Sequence, residues 1–416
     1  MKSMIAWSAL FVMAATASAQ KVPVDQLLEM ARTRAAGLEQ ALQDTLGVDN
    51  IKKGTADAGE AGEFVWAIAA ASEPRLQIND APPLAAWKAG GLWVYQGKLR
   101  PGTAYRYNWI VNGESLGADA SIASFGPDSV AHVGVPVGKL TGPLALESKI
   151  YLGLKSNIWY YVPAQWDGTT PLAVQVWGDG QMYTGARPGA YHLLETLDNL
   201  TSQRRIPLMV NVFIEPGTIA GKAQRSIEYD TVDTNYSRYV LDEVLPEVAK
   251  QVKLRDDAYS RAMAGESSGG IASFNAAFQM PDRFARVLSW IGSYTALQRT
   301  PVHTAGGAEY VYMVRSGEKR NIRVWMQDGR QDLENQFGSW PLVNIAMANS
   351  LKMKSYDFHF SFGYGAHSQA QGSAELPEAL TWLWRDYDPA KTSQNFEQEA
   401  SEKKKPLWRV VTLNRE

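Results

Sequence analysis

The chain has 416 residues, 41 Lys+Arg against 43 Asp+Glu, and no cysteine. That length supports two or three domains with buried cores, and a net charge of -2 offers no basic field to neutralise phosphates, so no nucleic-acid partner is expected. Without cysteine there is no disulfide, thiolate zinc site or cysteine nucleophile, and five histidines are left for metal or acid–base work.

Met1-Lys2, an apolar run over 4–15 and the ending Thr16-Ala17-Ser18-Ala19 before Gln20 have the three parts of a signal peptide over 1–19. The run is shorter than the ~20 apolar residues a membrane span needs. The expectation is export, to the periplasm or outside the cell, without stable membrane insertion. Apolar residues at helical spacing from Leu27 to Leu46 predict one amphipathic helix over 24–46, and the Gly/Ala/Asp-rich stretch 54–62 reads as a linker, so 20–59 forms an N-terminal helix and linker. Alternating aromatic-rich runs follow, and one of them, 105–111, closes on Asn112-Gly113, a strong hairpin signal. Residues 60–142 are therefore expected to form a small immunoglobulin-like β-sandwich.

From 143 to 388 strands alternate with helices: the buried run 172–177, strands 208–214, 259–264, 287–291, 322–327 and 356–362, and helices between them. That alternation predicts an α/β domain, a mostly parallel sheet covered on both faces. The remainder, 389–416, is polar and charged and reads as a solvated tail.

Within the α/β region, Gly265-Glu266-Ser267-Ser268-Gly269-Gly270 matches G-x-S-x-G between a predicted strand and a predicted helix. This is the setting of a nucleophile elbow, where small flanking residues let a strained serine turn pass its neighbours. A serine nucleophile needs a base. His132 and His192 precede Ser267 and break the hydrolase order of serine, acid, histidine; His359 lies inside an alternating strand; His303 sits in a polar loop without distinguishing neighbours. His367, in the loop Gly363-Tyr364-Gly365-Ala366-His367-Ser368 beyond a strand end, is the expected base. Asp328, Asp332 and Glu334 compete for the acid after strand 322–327, and loop position favours Asp332. Two N–H donors for a developing oxyanion are expected from Ser268, after the nucleophile, and Gln181, in the turn after an early central strand. No paired-histidine motif is present, so neither a metal nor another cofactor is expected.

Together, Gly178-Asp179-Gly180-Gln181, Val212-Phe213-Ile214-Glu215-Pro216-Gly217, the Ser267 motif, Gly292-Ser293-Tyr294, Gln327-Asp328-Gly329-Arg330-Gln331-Asp332-Leu333 and the His367 loop resemble one branch of the α/β-hydrolases. That branch holds enterochelin esterases and the feruloyl and acetylxylan esterases of carbohydrate esterase family one. The resemblance covers nearly all of 148–388 and implies Ser267 as nucleophile, Asp332 as acid and His367 as base, with Gln181 and Ser268 as backbone donors. It departs from the family in flanking the histidine with Ala366 and Ser368. It also implies an ester substrate, small or polysaccharide. Trp177, Trp290 and Trp340, near strand ends and helix starts, are candidates for a flat neutral face, such as a sugar or an aromatic acyl group. Arg187, Arg204, Arg205, Lys222, Arg225 and Arg330 are the cations that an anionic iron-siderophore would need. The balance favours feruloyl or acetyl esters of carbohydrate over siderophore lactones, with an inactive carbohydrate-binding protein as the reading from another class.

Overall fold

The computed structural model describes residues 21–185, 187, 189, 191–406 and 412–413; the expected signal peptide lies outside them. Apolar spacing does produce an N-terminal helical segment, but in three pieces, Val24–Thr33, Leu38–Leu46 and Val48–Lys53, rather than one. Arg34 turns left-handed (φ 51°) and closes the first helix through bonds from Arg34 and Ala35 N–H to the carbonyls of Ala31 and Met30. The break lets Leu27, Leu28, Ala31, Leu38 and Leu42 pack together on Val65, Ala67 and Val94 of the sheet below.

That sheet pairs Ala56–Glu60, Glu63–Ile68, Leu92–Lys98 and Trp87–Ala89; the second pairs Leu84–Ala85, Arg75–Ile78, Thr103–Val111 and Glu114–Ser124. All these pairings are antiparallel. Phe64, Trp66, Leu76, Tyr107 and Trp109 fill the space between the two sheets. Asn112 (φ 52°) and Gly113 (φ 87°) make the expected tight turn. Both sequence boundaries of this domain move. The expected linker contains strand Ala56–Glu60, and the expected boundary at 142 falls inside Lys139–Glu147, an edge strand that pairs with Lys155–Val162 in the next domain.

The second domain is built on a mixed sheet whose centre is parallel. Its neighbours run Met209–Ile214, Ala173–Gly178, Arg261–Glu266, Arg286–Trp290, Arg323–Gln331 and Asp357–Ala366. Both faces are covered, by helices Asn235–Tyr239, Leu245–Ala249, Ser268–Gln279 and Trp340–Met353 with one core, and by Leu193–Ser202 and Ala370–Leu383 with another. Parallel strands buried on both faces account for the unbroken apolar runs at their positions in the sequence.

The polar tail is not free. Arg255 donates to the carbonyls of Pro389 and Lys391 (2.6 Å each), Asn321 to that of Gln394 (2.7 Å), and the Phe396 ring and Glu402 are buried. Composition marked 389–405 as solvated because its anchors are mostly backbone carbonyls, which every residue carries. Among the described residues, no helix is long and apolar enough to cross a membrane.

Candidate active site

Three neighbouring strands end in non-glycine residues with positive φ: Asp179 (53°) after Ala173–Gly178, Ser267 (55°) after Arg261–Glu266 and Ile291 (42°) after Arg286–Trp290. Such conformations cost on the order of 1–3 kcal/mol each, so the surrounding packing holds strain at one end of the sheet. Ser267 (ψ -119°) is fixed by its N–H to Trp290 O (2.9 Å) and by its carbonyl, which accepts from Gly270 N and Ser293 N (3.0 Å each). A side chain at Gly265 would put its Cβ 2.6 Å from the Gly269 carbonyl oxygen, which is why the turn requires glycine there. Ser267 thereby leaves the sheet half-buried, at the N-terminus of helix Ser268–Gln279.

The end of strand Asp357–Ala366 delivers His367 to this turn. Its Nε2 lies 2.8 Å from Ser267 Oγ and its Nδ1 2.5 Å from Asp332 Oδ1. Because Nδ1 faces a carboxylate, the hydrogen-bond network assigns the ring proton to Nδ1 and leaves Nε2 as the acceptor facing Ser267. The Asp332 side chain is fully shielded while the imidazole keeps 22% exposure. Of the three competing carboxylates, Asp332 alone meets His367. Asp328 is buried, with Oδ1 accepting the Gly329 N–H (2.8 Å), and Glu334 is exposed in the strand Glu334–Asn335.

The other histidines have structural partners. His132 Nε2 meets Pro127 O (2.7 Å), His192 Nδ1 meets Ser129 O (2.9 Å), His303 Nδ1 meets Glu309 (2.8 Å), and His359 stacks on Trp325 (4.1 Å). Among the described residues, no cluster of three or more His, Asp or Glu side chains is arranged to hold a metal ion.

Gln181 lies in the short 3-10 turn Gly180–Met182, beside the elbow because Trp177 pairs in register with Ala264. Asp179 anchors that turn, donating its N–H to Tyr229 Oη (2.9 Å) and accepting Nε and Nη2 of Arg225 (2.7 and 2.8 Å). Ser268 opens the helix, where N–H groups have no intrahelical acceptor. Burial holds several neighbouring acids up: Asp230 to about 6 and Glu228 to about 7, with Glu266 raised as well.

The expected tryptophan platform is corrected. Trp177, Trp290 and Trp340 are 0, 1 and 2% exposed, so none offers a face to a ligand. Trp177 donates to Asn211 Oδ1 (2.9 Å) and packs on Trp290 (6.1 Å), both inside the core, while Trp340 sits edge-on to His367 (5.7 Å) and donates to Ser293 Oγ (3.2 Å). Ser293, whose Oγ lies 3.2 Å from Ser267 Oγ, is the contact the sequence reading missed. Its only signal was the Gly292-Ser293-Tyr294 segment, to which no role was attached.

A mixed sheet with a parallel centre, helices on both faces and a strained strand-to-helix serine turn define an α/β-hydrolase fold. Residues 150–383 match the Esterase family, described as "Putative esterase". The match spans more than half of the chain, which belongs to that family. An iron(III) enterobactin esterase of Dickeya dadantii (strain 3937) is 25% identical over 250 residues, 58% of this chain and 54% of the relative. The chain thus spans about half the length of that relative. The enterobactin esterase of Shigella flexneri, solved in the presence of enterobactin, superposes with a TM-score of 0.54 at 17% identity, covering 84% of this chain and 99% of that one. A ferulic acid esterase from Anaeromyces mucronatus gives 0.47 at 15% identity, covering 64 and 97%.

Proposed function

We propose that the chain hydrolyses its ester through an acyl-enzyme on Ser267, with His367 as general base and acid and Asp332 as the orienting carboxylate. One observation carries the reading: Ser267 Oγ, His367 Nε2, His367 Nδ1 and Asp332 Oδ1 form a single line of hydrogen bonds at 2.8 and 2.5 Å. As Oγ bonds to the acyl carbon, its proton passes to Nε2 and the imidazolium is held by Asp332. The carbonyl oxygen becomes an oxyanion facing the N–H groups of Gln181 and Ser268, a donor arrangement worth about 3–4 kcal/mol per donor. Nε2–H then protonates the leaving alcohol as the C–O bond breaks. Water, deprotonated by the same nitrogen, attacks the acyl-enzyme, and Ser267 recovers its proton as the acid leaves. Ser267→Ala and His367→Ala, checked for folding by circular dichroism, are expected to lose several orders of magnitude in p-nitrophenyl ester turnover. Undiminished turnover by folded Ser267→Ala refutes the mechanism.

For the substrate we propose a neutral ester on carbohydrate, feruloyl or acetyl, met outside the cytoplasm after export. The support is electrostatic. Of the six cations that could bind an anionic siderophore, Arg187 is paired with Glu195 and Asp198, Arg205 with Asp128, Arg225 with Asp179 and Arg330 with Asp80. Arg204 and Lys222 are exposed, one just beyond helix Leu193–Ser202 and the other on an edge strand of the sheet. Cations already neutralised offer little to a polyanion. The second reading, hydrolysis of an enterobactin-type trilactone, is favoured by the likeness to the iron(III) enterobactin esterase of Dickeya dadantii. Methyl ferulate, acetylated xylan and ferric enterobactin assayed side by side separate the two: hydrolysis of the siderophore alone overturns the carbohydrate reading.

A further inference from the structure

We infer that Ser293 is a second catalytic hydroxyl, which donates a hydrogen bond to Ser267 Oγ and is itself set in place by the indole N–H of Trp340. The inference rests on Ser267 being the nucleophile. Ser293 is 1% exposed, and its Oγ lies 3.2 Å from both Ser267 Oγ and Trp340 Nε1. An indole nitrogen can only donate, so Ser293 must accept from Trp340 and keeps its own proton to give. Among the described residues the acceptor recorded within reach is Ser267 Oγ. Ser267 in turn has one proton, and the unprotonated His367 Nε2 at 2.8 Å takes it.

The donors therefore all run one way: Trp340 Nε1–H to Ser293, Ser293 O–H to Ser267, Ser267 O–H to His367, His367 Nδ1–H to Asp332. Hydrogen bonds aligned in one sense polarise each other. When Nε2 removes the Ser267 proton, Oγ gains negative charge, and the bond from Ser293 becomes charge-assisted. A separation of 3.2 Å is long for two hydroxyls, and it is expected to close as charge develops, as catalytic contacts do between the free enzyme and the transition state. Ser267 Oγ is also the leaving oxygen in deacylation, so the same donor serves both half-reactions and should act on kcat.

The backbone makes this placement reproducible. Ser293 N–H donates to the Ser267 carbonyl (3.0 Å), and Trp340 N–H donates to Leu333 O (2.9 Å), next to Asp332. Trp340 is thus a positioning residue tied to the acid loop, packed at a right angle on the imidazole and bonded to Ser293 through its nitrogen.

The test measures kcat and KM on p-nitrophenyl acetate, inactivation by a neutral alkyl fluorophosphonate, and thermal melting. Ser293→Ala is expected to lower kcat and the inactivation rate by roughly 10- to 100-fold, with KM little changed and melting lowered by a few degrees because the buried Trp340 Nε1–H loses its acceptor. Ser293→Cys, which fills the same space with a weak donor, should lose most of that rate too. Trp340→Phe should lower kcat by several-fold in the wild-type background and add nothing in Ser293→Ala, because its effect runs through the hydroxyl. The inference is overturned if Ser293→Ala or Ser293→Cys keeps kcat and inactivation within about twofold of wild type while Ser267→Ala is dead. If Ser267→Ala keeps its activity, the nucleophile reading itself falls, and this inference with it.

Discussion

Asp332 Oδ1 meets His367 Nδ1 at 2.5 Å, while Asp328 Oδ1 accepts the Gly329 N–H at 2.8 Å. Burial first, and then the neighbouring Asp332 carboxyl, push the Asp328 carboxyl well above the usual carboxylate range, so Asp328 favours its neutral form. Asp332, not Asp328, is the carboxylate in contact with the imidazole. A neutral amide can replace a neutral acid at Asp328, but not the carboxylate that orients the imidazole at Asp332. Asp328→Asn should therefore keep kcat/KM within several-fold of wild type, while Asp332→Asn presents the wrong imidazole tautomer and loses about 10⁴-fold. Glu334→Gln, at an exposed position, should be silent. Steady-state kinetics on folded variants decide it, and equal losses in the two aspartates would move the acid to the pair as a unit.

The parts of this site that sequence makes legible are those written in local turn chemistry. Gly265 to Gly270 state their own requirement for small residues, so Ser267 could be singled out with no contact known; His367 could be singled out by its place beyond a strand end, although Gly363 and Gly365, expected in a loop, lie inside strand Asp357–Ala366. Asp332 could be preferred over Asp328 and Glu334 only by loop position, since nothing in sequence says which carboxylate is buried with a proton. Long-range facts were illegible. Trp177, Trp290 and Trp340 lie beside strand ends and helix starts in sequence, as platform residues would, yet the packing of two layers buries all three. Ala56–Glu60 carries linker composition and becomes a strand because Glu63–Ile68 offers it a ladder. Ser293 meets Ser267 across 26 residues of chain, a distance no local pattern spans.

Arg225 and Asp179 hold the turn that carries Gln181. The Asp179 carboxylate is almost wholly buried, and the two bonds from Arg225 (2.7 and 2.8 Å) compensate its charge. Removing one partner of such a pair leaves a buried charge alone, at a cost of about 3–5 kcal/mol. Arg225→Met should therefore lower stability by a few kcal/mol and depress kcat more than KM, because the loosened turn would misplace a donor aimed at the transition state. Chemical denaturation and kinetics on one ester check both. An unchanged kcat in a destabilised variant would confine the pair to a structural role.

Glu228 gives a pH dependence with a definite sign. Burial first raises its carboxyl from 4.5 to about 7, against the opposing bond from Gly217 N–H. A group whose folded pKa is raised contributes stability that is fully present below the unfolded value and is lost as pH climbs through the folded one. The shift corresponds to about 3 kcal/mol lost between pH 4.5 and 7. Glu228→Gln removes the titration and keeps an acceptor for Gly217, so its unfolding free energy should fall less than that of wild type across this window. Urea unfolding at pH 5 and pH 8 reads the difference, and parallel profiles for the two proteins would refute the assignment.

Phe396 closes the far end of the second domain. The Arg286 guanidinium is enclosed there by the rings of Tyr259 and Trp384 (4.6 Å each), Phe396 (5.1 Å) and Tyr387 (5.5 Å), and it donates through Nε to Leu383 O (3.1 Å). Phe396 also faces Arg323 (4.8 Å), so one ring from the tail covers two buried cations. Truncating a buried phenylalanine costs about 3–5 kcal/mol in general, and here it also admits water to a guanidinium that the fold keeps dry. Phe396→Ala, or a stop after Asp388, should therefore lower the melting temperature by several degrees or more while leaving KM near wild type, because the strap lies away from the Ser267 end of the sheet. Arg286→Met, which fills much of the same space without a charge, should partly offset the loss in the Phe396→Ala background. Calorimetry of the single and double variants tests this. A tail deletion that melts like wild type would return residues 389–405 to the solvated extension that their composition predicts.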